Sequence, residues 1–192
     1  STLSSSSAAS DVYKRQADDR QYVGSPLPKF EGALSFSGGY KNFDVTLFIT
    51  GVYGNKIYND GKFWLERMDD VGNFPAGLEP WTKENPSTTT PRAFIGPNDN
   101  AKANTERWIE DGSYLRLKNL QIGYSIPLDR IRGRLPDSEL LRVYIGTQNL
   151  FTITKYSGYD PEISGGSVFA KGNDSGHFPP VRTFLAGIQF NF

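Results

Sequence analysis

The chain has 192 residues, with 21 Lys+Arg against 21 Asp+Glu, no Cys, one His and one Met. Zero formal charge excludes the basic face with which a nucleic-acid binder displaces counterions. The absence of thiols excludes a disulfide scaffold or a Cys-zinc site, and His177 alone gives little basis for a metalloenzyme or a Ser-His-Asp triad.

Ser1 to Gln16, STLSSSSAASDVYKRQ, has neither a helical nor a strand period. It also lacks the basic start and apolar stretch of a secretory signal. It reads as a non-native or disordered leader, so the domain to be explained spans residues 17–192.

Five segments then alternate with period two, the mark of β-strands with one apolar face. They are Phe30–Gly38, Phe43–Tyr53, Tyr114–Ile126, Leu140–Thr152 and Thr183–Phe192. In the last, Phe184, Ala186, Ile188, Phe190 and Phe192 share a face. A short helix is expected around Lys62–Met68. No run of about 18 apolar residues is present, so no transmembrane helix is expected. Mean hydropathy is −0.49. Membrane β-barrels also score as hydrophilic, because lipid-facing and lumen-facing residues alternate.

The connections carry as much information as the strands. Four residues (Gly39–Asn42) join the first pair, 60 (Gly54–Ser113) the second, 13 (Pro127–Glu139) the third and 28 (Lys155–Arg182) the fourth. A compact soluble domain rarely holds a 60-residue loop. Alternating short and long connections are routine in an outer-membrane barrel, where periplasmic turns are short, extracellular loops are long and strands need about 9–11 residues to cross.

A Lys or Arg facing lipid at the midplane costs roughly 2–4 kcal/mol, so the apolar faces should be free of charge. The second, fourth and fifth strands satisfy this, with Arg142 opposite Leu141, Val143 and Ile145. The third does not: Arg116 and Lys118 share parity with Leu120, Ile122, Tyr124 and Ile126. Either a bulge near Asn119 flips the phase, or the upper strand stands above the hydrocarbon. The second resolution is expected, since Tyr114 lies at the loop end. Tyr53 and Tyr124, near strand ends, suit either aromatic girdles or ordinary packing at a sheet edge. Arg116, Lys118 and Arg142 are expected to face the lumen.

The chain ends Gly187-Ile188-Gln189-Phe190-Asn191-Phe192. A last strand with alternate apolar residues finishing on Phe resembles the signal that barrel-assembly machinery reads by pairing with it. The signal would comprise Gly187, Ile188, Phe190 and Phe192.

Four stretches converge on one family: KFEGALSFSGGYKNFDVTLFITGVYGNKIYN at residues 29–59, WTKENPSTTTPR at 81–92, RWIEDGSYLRLKNLQIGYSIP at 107–127, and NLFTITKYSGYDPE at 149–162 with HFPPVRTFLAGIQFNF closing the chain. Together they resemble the C-terminal portion of a SusC/RagA-type TonB-dependent outer-membrane transporter. The resemblance implies an all-β, antiparallel transmembrane barrel of about 22 strands with a plugged lumen, of which this chain would supply roughly the last five. It also implies import of oligosaccharides or peptides, a SusD-like lipoprotein over the extracellular mouth, and TonB acting through an N-terminal region absent from this chain. The protein would lie in the bacterial outer membrane, against lipid, with its C-terminus periplasmic. It implies no cofactor.

Ligand capture at a barrel mouth needs aromatic platforms and polar donors on loops. The long loop holds Trp64, Trp81 and Trp108, with Asn85, Arg92, Asn98 and Asn100 among them, and these are the expected ligand or lipoprotein contacts. In GYDPE, Asp160 and Glu162 suggest either a calcium site or, preferably, a turn capped by Asp160. The acidic pairs Asp69/Asp70 and Glu110/Asp111 are expected to be solvated, and without a Gly-rich phosphate loop or a placed carboxylate pair no enzyme is expected. The alternative is a secreted β-sandwich carbohydrate-binding module, which would need a closed two-sheet core.

Overall fold

A computed structural model describes residues 20–69, 72–96, 103–127, 140–163 and 171–191. The expected leader, Asp70, Asn98, Asn100 and Phe192 lie outside the described residues.

Five strands form one antiparallel sheet in the order β1 (Phe30–Tyr40), β2 (Phe43–Tyr53), β5 (Tyr114–Ile126), β6 (Leu140–Thr154) and β8 (Thr183–Asn191). All five expected strands are present, β2 and β5 with the boundaries that alternation gives. The first turn is tighter than expected. Tyr40 pairs with Phe43, which leaves Lys41 and Asn42 as the loop, and Lys41 takes φ 54° to close it.

Register places the side chains on two unlike faces. The Leu34↔Ile49↔Leu117↔Phe151 and Ile122↔Ile145↔Ala186 rows lie on one face. Aromatic residues flank it at both ends: Phe30 opposite Tyr53 at the loop end, and Tyr40, Phe43 and Tyr124 at the turn end. The Phe43 and Tyr124 rings sit 4.8 Å apart. The other face carries Ser37, Asp44, Thr46, Arg116, Gln121, Arg142, Gln148 and Gln189.

The charge conflict on β5 resolves through the bulge, not through elevation above the hydrocarbon. The register shifts between Phe48 and Ile49 against β2, leaving Lys118 as the extra residue, and between Leu117 and Asn119 against β6, where Asn149 and Leu150 are skipped opposite Lys118. An extra residue reverses the side-chain phase. Arg116 therefore sits opposite Thr50 and Thr152 on the polar face, while Leu117 joins the apolar one.

Arg142 shows how tightly the polar face is built. Its guanidinium reaches across β5 to Asp44, with bonds of 2.8 and 2.5 Å. It passes over Gly123, where a Cβ would overlap both side chains.

The long connections form a second, smaller body. After β2 come β3 (Lys56–Asn59), helix α1 (Asp60–Glu66), a 3-10 turn at Glu106–Trp108 and β4 (Ile109–Asp111); β7 (Asn173–Asp174) lies in the later loop. β3 pairs antiparallel with β4 and parallel with β7, so the two long loops share a three-stranded sheet. The helix begins two residues earlier than expected because Asn59 caps it, accepting from the Lys62 amide at 2.9 Å.

Burial is inverted relative to a water-soluble β domain. Ile57, Phe63, Met68, Trp108 and Tyr156 are buried in the loops, whereas Leu117 alone represents the main sheet among the buried large hydrophobics of the described residues. Leu34, Ile145, Ile153, Phe184 and Ile188 are each more than 60 % exposed. No second sheet covers this face among the described residues, so the two-layer core of a β-sandwich is not formed.

Candidate functional site

The loop body stands at the end of the sheet where β2 ends and β5 begins. Trp108 is its centre. The indole is fully buried and meets Phe63 edge-on, with centroids 5.5 Å apart, while Arg107 lies across its ring. The expected contact role for Trp108 is therefore corrected: no face of the indole reaches solvent. Trp64 is 60 % exposed and touches Phe63 and Arg67.

Trp81 and Arg92 line one cavity, and Trp64 is not among its lining residues. The Trp81 amide donates to the Pro91 carbonyl at 3.3 Å, closing residues 81–91 into a loop. Ser87 organises the middle of that loop by accepting from the Thr90 amide at 3.0 Å, and Arg107 holds it from below through the Thr89 carbonyl at 2.7 Å. An open cavity here, about 520 Å³, is lined by Trp81, Ser87, Thr89, Thr90, Arg92 and Arg107, among others. Such a lining offers an aromatic face, hydroxyls and guanidinium donors to a polar ligand. Asn85 stands beside this cavity. Its side chain donates to Glu79 at 2.7 Å and its amide to Thr82 Oγ1 at 2.9 Å, so it shapes the turn. The hydroxyl wall was missed at the level of sequence, where the Thr-rich run STTTPR could have signalled it.

The acidic residues also differ from expectation. Glu110 is not solvated: its carboxylate accepts from Lys62 at 3.0 Å and from the Ser157 amide and hydroxyl, both at 2.8 Å. Asp111 accepts from the Ser113 hydroxyl at 2.6 Å. Asp69 pairs with Arg67 at 2.8 Å. Tyr156 donates to Asp174 at 2.5 Å, which ties the start of the second loop to β7 further along it. His177, 53 % exposed, has Nδ1 at 3.9 Å from Asp174.

Burial alone would raise the Glu110 pKa, but the Ser157 donors and the Lys62 ammonium outweigh it and hold the carboxyl below its usual 4.5. The Ser113 hydroxyl and amide, against a smaller effect of burial, lower Asp111 as well. Depressed carboxylates stabilise the fold above their unfolded values and lose that effect as pH falls through the folded ones. Protease protection of the loop body should thus fall as pH drops below 4.5, and Glu110→Gln should flatten the profile. Protection unchanged through that range would contradict this account of the anchor.

Asp160 does cap its turn, accepting from the Glu162 amide at 2.7 Å. It also pairs with Arg116 at 2.6 Å, and Glu162 pairs with Arg116 at 2.7 Å and with Lys118 at 2.6 Å. Sequence reasoning placed these four residues without pairing them, because 44 residues separate Arg116 from Asp160.

Along the final strand, Ile188 and Phe190 are 62 % and 52 % exposed on the apolar face, and β8 forms an edge of the sheet. Gly187 lies against the Tyr144 ring, leaving no room for a Cβ.

No family model matches the chain. It is 36% identical to the TonB-dependent receptor P3 of Formosa agariphila, across 91% of this chain and 17% of that protein. To the TonB-dependent receptor SusC of Bacteroides thetaiotaomicron it is 29% identical, across 80% of this chain and 14% of that one. Among solved structures, the RagAB peptide transporter matches with a TM-score of 0.74 and 26% identity, over 90% of this chain and 18% of that one. The 'open-open' RagAB peptide importer gives 0.71 and 27% over 86% of this chain and 17% of that one. The chain spans less than a fifth of the proteins it matches. Its antiparallel sheet shares the fold of those structures, and the chain is homologous to TonB-dependent receptors of the SusC/RagA type.

Proposed function

We propose that the chain forms the C-terminal five strands of a closed, roughly 22-stranded outer-membrane barrel that imports oligosaccharides or peptides. The observation that supports this reading is the inversion of burial: the main sheet keeps one continuous apolar face exposed with a polar face opposite it, while the packed core lies in the loops. The apolar face meets lipid and the face bearing Asp44, Arg116 and Arg142 meets the water-filled lumen, where charge is tolerated.

In this reading the loop body is extracellular and the Lys41–Asn42 turn is periplasmic, which places the C-terminus on the periplasmic side. A SusD-like lipoprotein closes over the loops. Trp64, Trp81, Asn85 and Arg92 contact ligand or lipoprotein, Trp81 and Arg92 through the cavity they share. TonB supplies force through a part of the receptor outside this chain. The assembly machinery reads β8, with Gly187, Ile188, Phe190 and Phe192, by strand pairing. The segment translocates without covalent chemistry.

Topology gives the test. In intact cells expressing the full receptor, a membrane-impermeant maleimide should label Ser87→Cys and spare Lys41→Cys until the outer membrane is permeabilised. The opposite pattern, or equal labelling of both, would sink the assignment.

A further inference from the structure

The second long loop does not simply project from the wall. Residues 155–163 fold back over the polar face of β5 and β6. Arg116, 2 % exposed, donates to Thr152 at 2.8 Å, to Asp160 at 2.6 Å and to Glu162 at 2.7 Å. Lys118, re-aimed by the bulge, adds two bonds to Glu162 at 2.6 and 2.7 Å. Pro161, within this segment, is buried. At the other end Ser157 is held to Glu110 by its amide and its hydroxyl.

Between these two anchors stands Tyr159, with 78 % of its surface exposed. A large aromatic side chain left in water on a backbone pinned on both sides has no packing role in the described residues. What it offers is a ring whose backbone is already ordered, so binding against it incurs little further entropy loss. A tyrosine ring presents an apolar face and a hydroxyl at its rim. Its surroundings are balanced in charge, two cations against two carboxylates, and Glu162 remains 37 % exposed at the side chain as an acceptor. A flat apolar face beside hydrogen-bonding groups with no net charge suits a neutral sugar ring.

We propose that Tyr159 is a stacking residue for a neutral oligosaccharide at the luminal wall, and that the Arg116–Asp160–Glu162–Lys118 cluster is the clamp that positions it. The proposal rests on the transporter reading and selects, from its two substrate classes, the saccharide. It is separate from the Trp81 cavity, which lies on the preceding loop.

The test uses the full-length receptor with its partner lipoprotein, purified in detergent and screened on an array of neutral glycans, acidic glycans and peptides. Wild type should bind neutral glycans. Tyr159→Ala should weaken that binding by about tenfold and Tyr159→Phe by much less. Arg116→Gln should weaken it similarly, with little added loss in the Arg116→Gln/Tyr159→Ala double variant, because both remove the same positioned ring. Where Arg116→Gln fails to assemble, Glu162→Gln replaces it in the cycle. Additive losses would remove the clamp from the proposal. Wild-type affinity retained in Tyr159→Ala would overturn it, as would a receptor that binds only acidic glycans or only peptides. In the peptide case transport itself would stand, so the two failures are distinguishable.

Discussion

A receptor carrying Ile145→Arg should disappear from the outer membrane, while one carrying Gln148→Arg, three positions along the same strand, should assemble at the wild-type level. Ile145 pairs with Ile122 on one side and Ala186 on the other, in the middle of the apolar face, and is 62 % exposed. In the proposed barrel, lipid is the solvent that a side chain at this position meets. An arginine there costs roughly 2–4 kcal/mol near the midplane, a large fraction of the net stability of a folded domain. Gln148 pairs with Asn119 and Thr183 and points to the opposite side, where a charge remains hydrated. The measurement is the amount of folded, heat-modifiable receptor in outer-membrane fractions. Equal levels of the two variants would mean that the faces are assigned wrongly, because helix or strand propensity cannot separate one arginine from the other.

The same alternation explains which parts of the fold were legible in the sequence. Period two needs only near neighbours, so β2 and β5 could be bounded from residues 43–53 and 114–126 alone. The bulge was not legible in that way. A one-residue insertion leaves the letters of β5 continuous, and Arg116 and Lys118 simply appear on the wrong parity. Their positive charge was the clue, and the cross-strand register supplied the answer. The loops failed for a different reason. Their strands have four, three and two residues, too short for any period to register. They are held by partners far along the chain, such as the Glu110–Ser157 bonds across 47 residues. Composition marked the long loop by its tryptophans and polar side chains, but which tryptophan lines a cavity is decided by tertiary packing.

Trp108 makes that distinction testable. Trp108→Ala should leave the strands inserted and cause the loop body to be cleaved by protease added to intact cells, whereas Trp64→Ala should leave cleavage near the wild-type rate. The Trp108 side chain is wholly buried against Phe63 and bridges α1 to the start of β4. Truncating a buried tryptophan costs about 3–5 kcal/mol through lost transfer energy and the cavity left behind. A small loop core of Ile57, Phe63, Met68 and Tyr156 cannot absorb that loss. The main sheet is held by its own ladders from β1 to β8, none of which runs through this core. Trp64 is mostly in water, and exposed substitutions usually change stability by only about 0.5 kcal/mol. The discriminating readouts are protease cleavage and ligand binding, measured on the same variants. If Trp108→Ala kept full protease resistance and lost only ligand binding, the indole would be a ligand contact as composition first suggested. If cleavage rises as binding falls, the binding loss follows from the collapse of the platform that holds the Trp81 cavity.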